Sequence, residues 1–140
     1  MSLRILIIDE NPELAQRIST VLNVELLKIY PSLVTFVCTQ KRNSSGHKMP
    51  EIEEVAKMIE IVDLVLLSDY SCTHNSIEVL QFCSQKRVIT TSSNPICGYN
   101  HFYAKEDLFK LYRDPEYRDA INNLCTLIKI TLENQKSPHS

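Results

Sequence analysis

The stretch "LRILIIDENPELAQRI", residues 3 to 18, joins an unbroken aliphatic run to the start of a helix. Aliphatic residues without polar alternation are typical of a strand that is buried on both faces of a parallel sheet. The run ends on Asp9 and Glu10, after which Asn11 suits a helix N-cap and Pro12 the first helical position. The stretch therefore predicts a strand followed by a helix, with two carboxylates at the carboxyl end of the strand.

Strands and helices are expected to alternate along the rest of the chain. The apolar or β-branched runs predict further strands at residues 32–39, 63–69, 87–93 and, more briefly, 101–105. Helical spacing and turn residues predict helices at residues 51–62, 75–85, 106–114 and 115–135. Because parallel strands need crossover connections, this alternation predicts an α/β fold with helices on both faces of a five-stranded parallel sheet. Residues 40–50 are polar and rich in turn formers, which predicts a loop.

The composition limits the class of protein. With 140 residues, of which 44% are apolar, the chain is expected to form one domain over residues 1–133 and a disordered tail over residues 134–140. The net charge of -2 gives no basic excess of the kind that nucleic acid binding requires. No apolar run reaches the roughly 18 to 20 residues that span a bilayer, so we expect a soluble, cytoplasmic protein without membrane contact. With only two glycines, the chain has no glycine-rich loop of the kind that binds ATP or NAD. The five cysteines are expected to be buried free thiols.

Polar side chains stand where the predicted strands end. In an open parallel sheet, functional groups collect at the carboxyl ends of the strands, so these residues are the candidates for a site. They are Asp9 and Glu10 after the first strand, Ser68 and Asp69 after the third, Thr91 and Ser92 after the fourth, and Lys105 after the fifth. Three carboxylates, hydroxyl groups and an ammonium group would then meet at one edge of the sheet.

Four segments together resemble the receiver domain of bacterial two-component response regulators. They are "ILIIDENPELAQRI", "DLVLLSDYS" followed by "SIEVL", "VITTSS" and "FYAK", and the resemblance covers about residues 3 to 112. It implies a flavodoxin-like, doubly wound sheet with the strand order 2-1-3-4-5. It also implies a stand-alone signalling switch, not a dedicated enzyme, which accepts a phosphoryl group from a histidine kinase or phosphotransfer protein and contacts a downstream protein.

The resemblance assigns a role to each strand-end residue. Asp9, Glu10 and a strand-end aspartate would hold Mg²⁺, a hard cation that prefers oxygen ligands. Lys105 would contact the phosphoryl group and supply a positive charge to it. The switch hydroxyl, which hydrogen bonds the bound phosphoryl group, would be that of Thr91 or Ser92.

Two residues compete for the position of the phosphoacceptor. The ungapped spacing back from "SIEVL" leads to Ser68, whereas the pattern of aliphatic residues, serine, aspartate and an aromatic leads to Asp69. We favour Asp69, because strand alternation would otherwise direct its charge toward a surface covered by helices. Choosing Asp69 requires the deletion of one residue from the following loop. Such a deletion costs less free energy than a buried charge without a partner.

The chain departs from the receiver pattern in several places, and three of these departures keep other functions open. The loop at residues 40–50 is longer, the region between the fourth and fifth strands is shorter, and an extra helix follows Pro115. That helix could pack on its own sheet or pair two subunits into a homodimer. A pseudo-receiver, which is not phosphorylated and serves as a constitutive protein-interaction module, is the alternative. A small flavodoxin-like enzyme or nucleotide binder is a third hypothesis, although the sequence offers neither a nucleophile with its base nor a glycine-rich turn.

Overall fold

A computed structural model describes residues 3–44, 46–48, 50–68, 79, 82–83, 87–91, 103 and 118–136. The strands are β1 (Arg4–Ile8), β2 (Val34–Cys38), β3 (Lys41–Asn43), β4 (Gly46–Lys48), β5 (Leu64–Leu67) and β6 (Arg87–Thr90). The helices are α1 (Pro12–Leu26), α2 (Ile52–Glu60) and α3 (Arg118–Lys136). Four of the strands form one parallel sheet in the order β2-β1-β5-β6, which confirms the predicted α/β class and the parallel pairing.

Helices cover both faces of this sheet. Alternate residues of a strand point to opposite faces, and the two sets enter two separate cores. On the face covered by α1 and α3, the sheet contributes Ile5, Ile7, Leu64, Leu66 and Ile89. On the face covered by α2, it contributes Leu6, Ile8, Val65, Leu67 and Val88. Burial on both faces explains why the strands at the centre are continuous aliphatic runs without polar alternation.

The start of α1 is built by the residues that follow β1. Asn11 is the N-cap, and its side-chain oxygen accepts hydrogen bonds from the backbone N–H groups of Glu13 at 3.0 Å and Leu14 at 3.1 Å. Pro12 stands in the first turn, where its missing N–H group costs nothing. These contacts begin the helix directly beside the carboxyl end of β1, as the sequence predicts.

The predicted loop at residues 40–50 contains a β-hairpin, so the prediction of irregular structure was wrong there. Strands β3 and β4 pair in antiparallel fashion and form a small second sheet. Gly46 has a φ of 110°, a conformation that residues with a Cβ rarely adopt, and it closes the turn opposite Asn43. The polar composition concealed these strands, because three-residue strands carry little β-propensity signal.

Several predicted elements lie largely outside the described residues. These are the helices at 75–85 and 106–114 and the strand at 101–105. Within them, Val79 and Phe82 have helical backbone, and Val79 and Cys83 are buried in the core beneath α2. Tyr103 is described as well, and its N–H group donates a 2.9 Å hydrogen bond to the Thr90 carbonyl.

That hydrogen bond places Tyr103 relative to the sheet. The Thr91 N–H group donates to the Leu67 carbonyl of β5 at 2.8 Å, and successive residues of a parallel strand bond to opposite neighbours. The Thr90 carbonyl therefore points to the other side, and Tyr103 lies along the edge of β6 that faces away from β5.

Helix α3 packs on the same face of the sheet as α1. The helix predicted at residues 115–135 is described from Arg118 onward, and its residues Ile121, Leu124 and Ile128 are buried in that core. The helix continues through Lys136, so its end lies three residues beyond the expected domain boundary at 133. None of the helices in the described part of the chain is both long enough and apolar enough to cross a membrane.

Candidate functional site

Three polar residues stand side by side at the carboxyl edge of the sheet. The Ser68 N–H group donates to the Ile8 carbonyl at 2.9 Å, and the Thr91 N–H group donates to the Leu67 carbonyl at 2.8 Å. These bonds carry the strand register one residue past the ends of β1, β5 and β6. Asp9, Ser68 and Thr91 are therefore in register on three neighbouring strands, and we call them the polar row.

The polar row is buried. Asp9 and Ser68 are each 1% exposed, and Thr91 is 3% exposed. Strand alternation assigns all three to the face of the sheet that α1 and α3 cover. Since neighbouring strands are about 4.8 Å apart, the row extends over roughly 10 Å. Polar side chains in this position interrupt an otherwise apolar core, which makes this edge of the sheet the candidate site.

The carboxylate of Asp9 lies at the N-terminus of α1. Its Oδ1 atom accepts a 2.9 Å hydrogen bond from the backbone N–H group of Asn11, whose side chain caps the helix. The N-terminal end of a helix carries partial positive charge, which favours an anion there. The segment from residue 9 to residue 11 thus orients one carboxylate and begins the helix at the same time.

Glu10 and Thr39 continue the site toward β2. Glu10 is partly buried, and its backbone carbonyl accepts a 3.4 Å hydrogen bond from the hydroxyl of Thr39, just after β2. The sequence analysis did not select Thr39. The available signal was its place at the end of a strand, which it shares with the residues that were selected.

The structure brings together part of the predicted site. Asp9, Ser68 and Thr91 form the polar row, and Glu10 follows Asp9 directly. The predicted Asp69, Ser92 and Lys105 lie outside the described residues. Over the residues that can be described, no three His, Cys, Asp or Glu side chains are grouped as metal ligands, and Asp69, the third expected ligand, is not among those residues.

The chemistry of the described donors fits a hard divalent cation. Asp9 and Glu10 supply carboxylate oxygens on consecutive residues, and oxygen ligands are what Mg²⁺ prefers. The hydroxyls of Ser68 and Thr91 add neutral hydrogen-bonding groups in the same row.

No protein-family model matches the chain, and no curated protein matches it with significance.

Cys83 belongs to the core beneath α2 and is expected to be chemically inert. It is 1% exposed, and burial raises the pKa of its thiol to about 12. Since the thiolate is the reactive form, Cys83 should be alkylated by iodoacetamide at pH 8 far more slowly than the partly exposed Cys125. Peptide mass spectrometry after timed alkylation measures both rates. Equal rates at the two cysteines would contradict this prediction.

The same pKa gives a pH dependence of stability. The thiol of Cys83 stays protonated in the folded chain up to a pH of about 12, whereas in the unfolded chain it ionises near 9.0. The unfolded state therefore binds fewer protons between these pH values, and the free energy of unfolding should fall as the pH rises through them. A Cys83→Ala variant should show a smaller decline in urea titrations over this range, with the difference at most about 1.4 kcal/mol per pH unit.

Proposed function

We propose that this chain is a receiver-like signalling protein that accepts a phosphoryl group on Asp69 with the help of Mg²⁺ and acts through protein–protein contacts. The observation that carries the proposal is the polar row, in which Asp9, Ser68 and Thr91 stand in register at the carboxyl edge of three parallel strands. Asp69 is the residue that follows this row along the chain. A histidine kinase or a phosphotransfer protein is the proposed donor.

The proposed architecture is the flavodoxin-like order 2-1-3-4-5. The four described strands follow the first part of this order, since the two strands of the hairpin form a separate sheet. The hydrogen bond from Tyr103 to Thr90, on the outer side of β6, supports a fifth strand at residues 101–105. In this arrangement Lys105 follows the fifth strand and Ser92 follows Thr91, so both belong to the same edge of the sheet.

Each residue has a defined role in the proposed reaction. A carboxylate oxygen of Asp69 forms a bond to phosphorus while the bond from phosphorus to the donor breaks, and the donor keeps that electron pair. Asp9 and Glu10, together with Asp69, would hold Mg²⁺, which when bound neutralises charge on the phosphoryl oxygens. Lys105 adds a second positive charge. The hydroxyl of Thr91 or Ser92 hydrogen bonds the attached phosphoryl group and moves toward it, which biases the conformational switch.

Phosphorylation by a small donor tests this function. Acetyl phosphate and Mg²⁺ should increase the intact mass by one phosphoryl group, and chelation of the metal with EDTA should prevent the increase. An Asp9→Asn variant should bind Mg²⁺ roughly tenfold more weakly or worse, because it loses one anionic ligand. Asp63→Asn is the matched control, since Asp63 lies at the opposite edge of the sheet, where it accepts a hydrogen bond from the Arg4 N–H group at 2.8 Å. A chain that never gains mass is not a phosphoacceptor.

The alternative is a pseudo-receiver that keeps the fold and serves as a constitutive interaction module. The observation that favours it is the β3–β4 hairpin, which adds structure between β2 and α2. Titration with Mg²⁺ separates the two functions. A phosphoacceptor should bind Mg²⁺ with a saturable curve that Asp9→Asn weakens, whereas a module without a working site should give the same flat titration in both proteins.

A further inference from the structure

Strand β2 lies at one edge of the parallel sheet. Among the strands that the structure describes, β1 is the only one that pairs with it. The opposite edge, formed by β6, is contacted by the backbone of Tyr103. A strand at an edge presents a row of N–H and C=O groups that is a template for pairing with another chain. The β2 edge is therefore the candidate for such pairing.

The backbone groups that point outward from β2 belong to Thr35 and Val37. The Val34 N–H group donates to the Leu3 carbonyl at 2.9 Å, at the start of the pairing with β1. In a parallel pair, alternate residues of a strand bond to the same neighbour, so residues 34, 36 and 38 bond to β1. The N–H and C=O groups of Thr35 and Val37 then face away from the sheet.

This edge lacks the features that usually protect an open strand. Natural sheets protect their edges with charged residues, lysine above all, or with proline. Residues 29–40 contain no charged side chain, and the strand Val34–Cys38 contains no proline. Its first four residues are β-branched or aromatic, which favours pairing between strands, and the apolar Val34 is 45% exposed. The composition of β2 is therefore that of a strand that pairs on both sides.

The side of α1 that borders this edge is built from uncharged residues. The Ser19 hydroxyl lies 2.7 Å from the Thr35 hydroxyl, which also donates to the side-chain oxygen of Asn23 at 3.4 Å. These contacts place this side of α1 next to β2. Helical spacing sets Gln16 and Thr20 beside them, and both are exposed. None of the four helix side chains carries a charge.

An uncharged edge suits a second copy of the same strand. In a pair related by a two-fold axis the same surface meets itself, so a charged residue near the axis would face a like charge. A partner of different sequence imposes no such restriction, and it could use charge to select the edge. The lack of charge over residues 29–40 therefore favours self-association over the capture of a foreign strand.

The outward groups of β2 match those of a second copy in antiparallel orientation. A two-fold axis through Phe36 sets Thr35 of each copy directly opposite Val37 of the other. Residues opposed in this way in an antiparallel pair exchange both N–H···O bonds, so each of the two pairs forms two hydrogen bonds. The Phe36 residues of the two copies meet between these pairs as a closer, non-hydrogen-bonded pair, in which aromatic side chains interact favourably.

We propose that two copies of this chain associate through antiparallel pairing of their β2 strands, which joins the two parallel sheets into one. The inference goes beyond the proposed function, because the pairing needs neither phosphate nor Mg²⁺. A strand of five residues gives an interface at the small end of the known range, below about 1,200 Å². We therefore expect a weak dimer with an affinity in the micromolar range.

Hydrogen–deuterium exchange at two protein concentrations tests the register. The amides of Thr35 and Val37 should exchange about fivefold more slowly at roughly 1 mM than at roughly 5 μM, because only the dimer pairs them. The amides of Val34 and Phe36, which bond to β1, should be protected equally at both concentrations. Sedimentation velocity over the same range should show the mass rising from that of one chain toward that of two.

The variant Val34→Lys tests the surface itself, because lysine is a common protection of natural edge strands. Its thermal unfolding should resemble that of the parent, since the side chain is 45% exposed, whereas the dimer should weaken about tenfold or more. The control is Val24→Lys, which makes the same change on α1, where the side chain is 57% exposed. The control should dimerise like the parent.

Three results would overturn the proposal. A chain that stays monomeric at roughly 1 mM has no such interface. Protection of the Thr35 and Val37 amides at every concentration would mean that the edge is already covered within one chain. A dimer that forms equally in Val34→Lys and Val24→Lys, without concentration-dependent protection of these amides, would use another surface, such as α3.

Discussion

Replacement of Asp69 by asparagine is expected to abolish the phosphoryl adduct, whereas replacement of Ser68 by alanine should leave it. A carboxylate is ionised at pH 7 and can attack phosphorus directly, whereas a serine hydroxyl needs a general base. Ser68 is also 1% exposed and stands between Asp9 and Thr91 in the polar row. The amide introduced by Asp69→Asn keeps the shape of the side chain but lacks the anionic oxygen.

Intact mass spectrometry after treatment with acetyl phosphate and Mg²⁺ measures the adduct in both variants. Removal of a buried hydroxyl can cost about 1 to 3 kcal/mol, so each variant is first compared with the parent by thermal unfolding. Ser68→Cys, which keeps the size of the side chain, is the second variant for this position. An adduct that persists in Asp69→Asn and disappears in both folded Ser68 variants would identify Ser68 as the acceptor position.

The part of the fold that the sequence predicted best is the part with the strongest physical constraint. Burial on both faces demands the continuous aliphatic run of β1, and the helix that follows needs a cap, which Asn11 provides. Parallel pairing then brings the strand ends together. Asp9 and Thr91 could be selected for this reason, without any knowledge of their neighbours.

The other features of the fold and of the candidate site could not be predicted, because they depend on which distant segments pair, and the order of residues along the chain does not show this. The β3–β4 hairpin has no apolar period, and its register is defined only when the two strands pair. The choice between Ser68 and Asp69 could not be made from the sequence pattern, because the strand register extends to Ser68 and Asp69 lies outside the described residues. Tyr103 was predicted as part of a short strand, but its backbone bond to Thr90 requires the completed sheet.

Replacement of Leu66 by alanine is expected to give the largest loss of stability, about 2 to 5 kcal/mol. Leu66 is 1% exposed at the centre of the sheet, in the core that α1 and α3 cover. The substitution removes buried apolar atoms and leaves a cavity that a sheet packed on both faces cannot close. Since the free energy of unfolding of an ordinary domain is about 5 to 15 kcal/mol, this single change would remove a large part of it.

The matched control is Leu27→Ala, which makes the same chemical change at the end of α1, where the side chain is 41% exposed. Urea denaturation followed by circular dichroism should give a clearly lower midpoint for Leu66→Ala and one near the parent value for Leu27→Ala. Equal midpoints would mean that the centre of the sheet is not the main core. Leu66 precedes Ser68 by two residues on the same face, so its cavity lies next to the polar row. If the proposed site is correct, the folded fraction of Leu66→Ala should still form the adduct, because the acceptor is Asp69 and its carboxylate is unchanged.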